Sequence, residues 1–236
     1  MKTVAIVQTR IGSSRLPGKV LMSIGETTMI GRVVSRLRAA RSIDAIVIAT
    51  TFSPADDRVE QAARDLDVDC FRGSEHDVLS RYAGAARWSD ADAIVRVTSD
   101  CPLLDPDVID GVVALLDRRC DYASNTHVRS FPRGLDVEAL HRDALERIDR
   151  MATSSSAREH VTAHVLEAPH RFVTKQLVSP VDNSDLRWTV DTEEDLETVR
   201  RLAALDLPYP HLVLRARADV ALRANEHVAQ KPTFAA

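Results

Sequence analysis

Cysteine is scarce in this chain and carries no pattern: Cys70, Cys101 and Cys120 are odd in number and show no CxxC spacing. That excludes a disulfide framework and a zinc knuckle, and it fits a reducing, cytoplasmic compartment. A basic excess is also missing, because 31 basic against 35 acidic residues leave a formal net charge of -4. Nucleic acid is therefore not expected as the main partner, since neutralising its phosphates needs concentrated positive charge. Long apolar runs are absent too. In the opening MKTVAIVQTRIGSSRLPGK the apolar run covers only a few positions, too few for a signal-peptide core or a bilayer span, so no membrane partner is expected. No internal repeat or low-complexity tract interrupts the chain. What is left is the composition of an ordinary soluble protein, 44% hydrophobic and 28% charged over 236 residues. That length suits a single α/β domain spanning residues 1–236, with room for at most a small arm.

The apolar residues predict strands alternating with helices, the pattern of a parallel sheet covered on both faces. Thr3–Val7, Ala45–Ala49, Val68–Phe71 and Ala93–Val97 read as strands. Thr27–Arg41 reads as an amphipathic helix, with Met29, Ile30, Val33, Val34 and Leu37 at helical spacing. Further helices are expected from Ser53, as N-cap, through Leu66, over Asp77–Trp88, and over Pro106–Arg119 with Asp105 as cap. Between Tyr122 and Ser179 the alternation weakens into an FPRG turn, a short Asp136–Leu140 strand, two helices and an Arg171–Val178 strand, which suggests an arm inserted in the main sheet. Leu186–Val190 as a strand and Thr192–Leu205 as a helix restore the pattern, and the terminal EHVAQKPTFAA, without an apolar face, is expected to fray.

The richest chemistry lies in QTRIGSSRLPGK, residues 8–19, directly after the first strand. Ligands of open α/β sheets bind at the carboxyl ends of strands, and this loop suits a polyphosphate. Gly12 and Gly18 permit close backbone approach, Ser13 and Ser14 supply hydroxyls, and Arg10, Arg15 and Lys19 place three cations within ten residues. It is not a P-loop, because the two glycines enclose five residues and Val20 stands where a Ser or Thr is required.

Two acidic segments complement it. In VTSDCPLLDPD, Asp100 follows a buried strand and is a candidate Mg²⁺ ligand, with a turn-forming Asp as the alternative. Asp105 and Asp107 fit an N-cap and a first-turn acid better. In LRWTVDTEEDL either Asp191 or Thr192 can cap the next helix, and a Thr192 cap leaves Asp191 free for a metal. Cys101, beside Asp100, reads as a buried small residue. His160 and His164 are four apart, a spacing that would put both on one helix face, but no third ligand lies near in sequence.

TRIGSSRLPGKVL, VTSDCPLLDPDVID, GLDVEAL, REHVTAHV and LRWTVDTEEDL, in this order, resemble the spore-coat polysaccharide synthesis protein F group of the cytidylyltransferase family. That family also holds the CMP-KDO and CMP-sialic acid synthetases, and the likeness runs from about residue 3 to about residue 205. The resemblance implies a Rossmann-like nucleotidyltransferase fold, Mg²⁺ as cofactor, CTP as co-substrate and release of pyrophosphate. By motif, Arg10, Arg15 and Lys19 would hold the triphosphate with Thr9, Gly12 and Ser13, and Asp100 and Asp191 would hold the metal. Gly73 and Ser74 stand near the nucleobase position, and Thr98 stands where the sugar-activating relatives carry a Gln. Arg15, Lys19 and Asp100 become the candidate catalytic residues. The acceptor would be a small acidic molecule such as an acidic sugar, contacted by Arg133, Gly134, Asp136 and His160, with Arg129 and Arg158 as other cations nearby. A homodimer formed through the 122–179 region is implied as well. Two alternatives stay open: a sugar-nucleotide glycosyltransferase, cued by the DxD spacing of Asp105 and Asp107, and a non-catalytic nucleotide-binding module.

Overall fold

Burial along the first strand sets the architecture. In β1 (Thr3–Gln8), Val4 and Ile6 enter one apolar cluster while Ala5 and Val7 enter a second. A strand whose side chains alternate between faces does this only when both faces are covered. The structure, a computed structural model, describes residues 1–218, so the EHVAQKPTFAA end lies outside the described residues.

After β1 come a small hairpin of β2 (Ser23–Ile24) and β3 (Thr27–Thr28), then α1 (Met29–Ala39), β4 (Ala45–Thr51), α2 (Asp57–Asp65), β5 (Asp69–Gly73), α3 (Val78–Trp88), β6 (Ala93–Thr98) and α4 (Pro106–Ala114). The second half supplies β7 (Tyr122–Ser124), β8 (Glu138–His141), α5 (Arg142–Met151), α6 (Ser155–His160), α7 (Ala163–Glu167), β9 (Thr174–Gln176) and α8 (Glu193–Ala203). A last helix runs over residues 209–218. Seven strands form one sheet in the order β5-β4-β1-β6-β8-β7-β9. β4, β5 and β6 join β1 in parallel, and β8 is antiparallel to both of its neighbours. The helices α1, α2, α4 and α8 pack on one face, and α3, α5 and α6 pack on the other. This is the Rossmann-like α/β class the sequence predicts. The chain leaves β1 toward β4 and β5, then crosses back to place β6 on the other side of β1. That reversal opens a crevice at the carboxyl ends of β1 and β6.

Several local expectations change. Ser53 makes no side-chain cap; a short 3₁₀ turn, Pro54–Asp56, comes between it and α2. Helix α4 stops at Ala114, and the chain turns again where the Cys120 N–H donates to the Asp117 carbonyl. Residues 122–179 contribute β7, β8 and β9 to the main sheet itself, with three helices between β8 and β9 in place of two. Leu186–Val190 is not a strand. Only Arg187 bridges, to Arg133, and the apolar alternation reflects burial of Trp188 and Val190 in the core. His160 and His164 do not share a helix face, because Val161 (φ 53°, ψ -62°) breaks the chain between α6 and α7.

Candidate active site

The loop after β1 is held open by a buried carboxylate. Asp56, 2% exposed, accepts from the Ile11 N–H (2.7 Å) and from both the N–H and the hydroxyl of Thr51, at the end of β4. The Thr9 N–H donates to the Ala49 carbonyl (3.2 Å), and the Gly18 N–H returns to the Ile11 carbonyl (3.1 Å), closing residues 11–18 into a compact turn. Gly18 takes φ +71°, which favours glycine, and Leu16 is buried as the anchor of the turn. The result is a rigid rim that carries Arg10 and Arg15 outward and turns Lys19 inward.

Lys19 is 9% exposed, and its ammonium meets three oxygens: the Val190 carbonyl at 2.6 Å, Asp191 Oδ1 at 3.0 Å and Asp100 Oδ2 at 3.5 Å. A buried lysine needs such partners to offset the loss of hydration. Asp100 reaches this point because the Ser99 N–H bonds the Gln8 carbonyl, continuing the β1–β6 pairing, while the Val190 N–H bonds the Asp100 carbonyl (2.9 Å). The Thr98 hydroxyl donates to Asp100 Oδ1 at 2.5 Å. Thr192 caps α8 in a reciprocal capping box with Asp195, which leaves the Asp191 side chain free to turn toward the crevice. Burial would raise the Asp191 pKa, yet Lys19, Arg187 and Arg15 hold it below the usual carboxylate range. Arg15 contacts its Oδ1 at 2.9 Å and Arg187 its Oδ2 at 2.6 Å.

These groups line a cavity of about 320 Å³ bounded by Gln8, Thr9, Arg10, Gly12, Ser13, Ser14, Arg15, Lys19, Thr98, Ser99, Asp100 and Asp191. On one side it shares Gln8 and Arg10 with a second hollow, about 240 Å³, lined also by Glu75, His76, Arg81 and Glu159. Arg81 is 1% exposed and donates to the Ser74 carbonyl, so Ser74 and Gly73 lie directly behind it. Gln8 Oε1, Thr9 Oγ1 and Arg81 Nε are buried without a partner. On the other side Thr98 is shared with a third hollow, about 300 Å³, lined by Arg96, Thr126, Arg129, Asp136 and Glu138. There Arg129 holds Asp136 in a two-point pair (3.0 and 3.3 Å). Arg96 pairs with buried Glu138, which also accepts from the Tyr122 and Thr162 hydroxyls. A larger hollow of about 580 Å³, lined by Arg38, Asp44, Arg64 and Asp69 among others, shares no residue with these three.

Thr9, Arg10, Gly12, Ser13, Arg15, Lys19, Thr98, Asp100 and Asp191 are thus brought into one cavity, with Asp136 in the adjoining hollow. Arg133 is exposed, and its backbone pairs with Leu186 and Trp188. Gly134 (φ +108°) lies so close to Trp188 that a Cβ would come within 2.6 Å of the Trp188 carbonyl carbon, a packing requirement. His160 is exposed and lines none of the hollows described above, and Arg158 is tied to Asp77 and Asp149. Gln8, Asp56, Arg81, Arg96, Glu138 and Arg187 are additions from the structure. Gln8, Glu138 and Arg187 sit inside segments already singled out, whereas Asp56 and Arg96 are tied to the site by partners distant in the sequence, Ile11 and Glu138, and Arg81 by its place beside Gln8 and Arg10.

Cys101 is buried, and burial together with Asp100 pushes its thiol well above the ordinary value, so it carries no nucleophile. The DxD cue also dissolves. Asp105 Oδ1 caps α4 through the Asp107 and Val108 N–H groups, and its Oδ2 accepts from the Tyr209 N–H. Among the described residues no three His, Cys, Asp or Glu side chains cluster as metal ligands, and no helix is long and apolar enough to cross a membrane.

A mostly parallel open sheet with a basic loop and two converging carboxylates at its reversal point defines a nucleotidyltransferase with a Rossmann-like fold. The chain belongs to the cytidylyltransferase family, whose profile matches residues 4–216. It is 36% identical over 200 residues to an uncharacterised protein of Methanocaldococcus jannaschii, covering 84% of this chain and 81% of the relative. With the spore coat polysaccharide biosynthesis protein SpsF of Bacillus subtilis it shares 33% identity over 214 residues, 84% of each chain. A solved cytidylyltransferase from Leptospira borgpetersenii superposes with a TM-score of 0.87 at 33% identity and full coverage of both chains. A CMP-2-keto-3-deoxy-manno-octonic acid synthetase in complex with CTP gives 0.67 at 22% identity, covering 88% of this chain and all of that one, a likeness of fold.

Proposed function

We propose that this enzyme transfers CMP from CTP to a small acidic acceptor of the sugar-acid type, releasing pyrophosphate. The observation that carries the proposal is the convergence of Lys19, Asp100 and Asp191 beside the basic loop, at the crevice between β1 and β6. Arg10, Arg15 and the loop around Gly12 and Ser13 would take the triphosphate, and Lys19 would neutralise the departing pyrophosphate. For the base, the hollow beside Gln8 suits cytosine. Arg81 would donate to the ring N3 and O2, and the Gln8 amide carbonyl, now without a partner, would accept from the exocyclic amine.

The donor set fits a hard divalent cation. Two carboxylates already converge on one positive charge, with no sulfur or imidazole among them, and Mg²⁺ commonly takes one or two carboxylates and completes its shell with phosphate and water oxygens. Asp100 and Asp191 would hold it. When bound, the ion would supply positive charge at the α-phosphate and lower the pKa of the acceptor hydroxyl. The protein's own part is positioning: Thr98 fixes Asp100 by its hydrogen bond, and the loop aligns the α-phosphorus with an acceptor oxygen coming from the Thr98 side.

The acid group of the acceptor falls to Arg129. Its pair with Asp136 is about a third exposed, so exchanging one carboxylate for another costs little, whereas Arg96 is committed to buried Glu138. A homodimer through residues 122–179 would cover the exposed Val128, Val173 and Val178 of that region, and size-exclusion chromatography checks it.

The experiment is pyrophosphate release from each of four NTPs with 3-deoxy-manno-octulosonate, a sialic acid or a neutral hexose, with and without Mg²⁺. Release confined to CTP, an acid and metal is expected. Equal release with UTP or with the hexose overturns the specificity, and hydrolysis of a sugar nucleotide in place of release overturns the reaction class.

A further inference from the structure

The Lys19 ammonium stands where two carboxylates come together, and the charges around it are already balanced. Lys19, Arg15 and Arg187 face Asp100, Asp191 and Asp195, three cations against three anions. Asp191 has no free oxygen, because Lys19 and Arg15 take Oδ1 and Arg187 takes Oδ2. A dication entering alone would add uncompensated charge beside three existing cations and would find only two carboxylates, each with both oxygens already partnered. A triphosphate reverses both conditions. It brings excess negative charge, offers oxygens to complete a metal shell, and gives Lys19 an anion to move to.

We infer that Lys19 is an internal placeholder cation. In the nucleotide-free enzyme it holds Asp100 and Asp191 together and keeps free divalent ions out. The triphosphate draws it off, and the metal and the nucleotide then bind as a coupled pair. This rests on the proposal that Asp100 and Asp191 are the metal carboxylates. It adds a second role for a residue otherwise assigned only to phosphate. The geometry favours Lys19 over Arg15 in this role, because the Lys19 side chain is 11% exposed and fixed by the Val190 carbonyl, whereas Arg15 is 63% exposed.

The test is Mn²⁺ binding to the full chain, read by the loss of the free-ion electron paramagnetic resonance signal, so that no turnover is needed. Wild type alone should bind Mn²⁺ weakly. CTP should tighten it by about tenfold or more, within the roughly 5- to 150-fold range usual for coupled ligands, and Mn²⁺ must tighten CTP by the same factor. Lys19→Met without nucleotide should bind Mn²⁺ about tenfold more tightly than wild type and lose most of the CTP effect. Should Lys19→Met unfold, Arg15→Gln, at an exposed position, removes one cation from Asp191 and should give a smaller gain, about two- to threefold. Wild type that binds Mn²⁺ equally well with and without CTP overturns the inference, as does a folded Lys19→Met with no gain. The nucleotide-free comparison involves neither CTP nor acceptor, so a failed transfer reaction would not be mistaken for failure here.

Discussion

Two clusters of arginine and carboxylate stand on either side of Thr98 and make opposite use of the same chemistry. Around Asp191 the cations are three, the side chains are partly exposed, and Lys19 meets its two carboxylates at unequal distances, 3.0 and 3.5 Å. Around Glu138 the partners are closed in, although Arg96 and Glu138 border the third hollow. The carboxylate is buried against Arg96, Tyr122 and Thr162, tying β6, β7, β8 and the start of α7 into one unit. The first cluster can exchange partners at small cost through its exposed arginines, Arg15 and Arg187, and the second cannot, because a buried charge that loses its counter-ion keeps its desolvation penalty. The lesson is that burial alone does not separate the groups that meet ligand from those that hold the frame: Lys19 and Glu138 are both buried, and only Lys19 has exposed arginines beside its carboxylate.

The sharpest way to break this contrast is a pair of truncations. Asp100→Ala should lower kcat/KM by about 10³-fold while leaving the melting temperature nearly unchanged, the signature of a group acting on the transition state. Steady-state kinetics beside calorimetry checks both halves. Glu138→Ala should do the reverse, costing about 3–5 kcal/mol of stability by leaving Arg96 buried and unpaired. Urea unfolding measures it, and a stable Glu138→Ala protein would erase the distinction. The same residue sets an acid limb. Burial works to raise the Glu138 pKa, but Arg96, with the Thr162 and Tyr122 hydroxyls, holds it below the ordinary value. Its contribution is therefore complete above about pH 4.3 and is lost as pH falls through the depressed value. Glu138→Gln should flatten the fall of stability below about pH 4, seen in pH-dependent thermal melts.

Between these extremes lies Gly134. An alanine there would meet the Trp188 backbone at φ +108°, and Gly134→Ala should cost about 2–3 kcal/mol. If thermal unfolding shows the loss while the KM for CTP holds, Gly134 belongs with the frame; a selective rise in acceptor KM would move it to the site.

How far the sequence could carry this contrast depends on how local each feature is. β1, β4 and β6 were legible because buried parallel strands are written as unbroken apolar runs, and the loop over residues 8–19 was legible because its glycines and cations are contiguous. Between Asp191 and Thr192 the sequence left the cap open, and the structure assigns it to Thr192 through a capping box with Asp195. The Glu138 cluster was not legible. Arg96, Tyr122, Glu138 and Thr162 are far apart along the chain; strand pairing brings the first three together, and the packing of α7 against the sheet adds Thr162. Leu186–Val190 misled for a related reason, since alternation reports which side chains are buried and does not say whether a neighbouring strand is present to pair with.

The smallest expected effects come from Asp105 and Asp107, and they bear on reaction class. If this DxD pair served a metal in a glycosyltransferase, both carboxylates would have to face ligand. Asp105 is instead spent on three backbone N–H groups, those of Asp107, Val108 and Tyr209, and Asp107 is exposed. Asp105→Ala should therefore cost about 1–2 kcal/mol of stability as a lost helix cap and change turnover little. Asp107→Asn should stay within about 0.5 kcal/mol of wild type and leave kcat and the Mn²⁺ affinity unaltered. A loss of metal affinity in Asp107→Asn without a loss of stability would move the divalent site away from Asp100, and the assignment of the crevice between β1 and β6 would move with it.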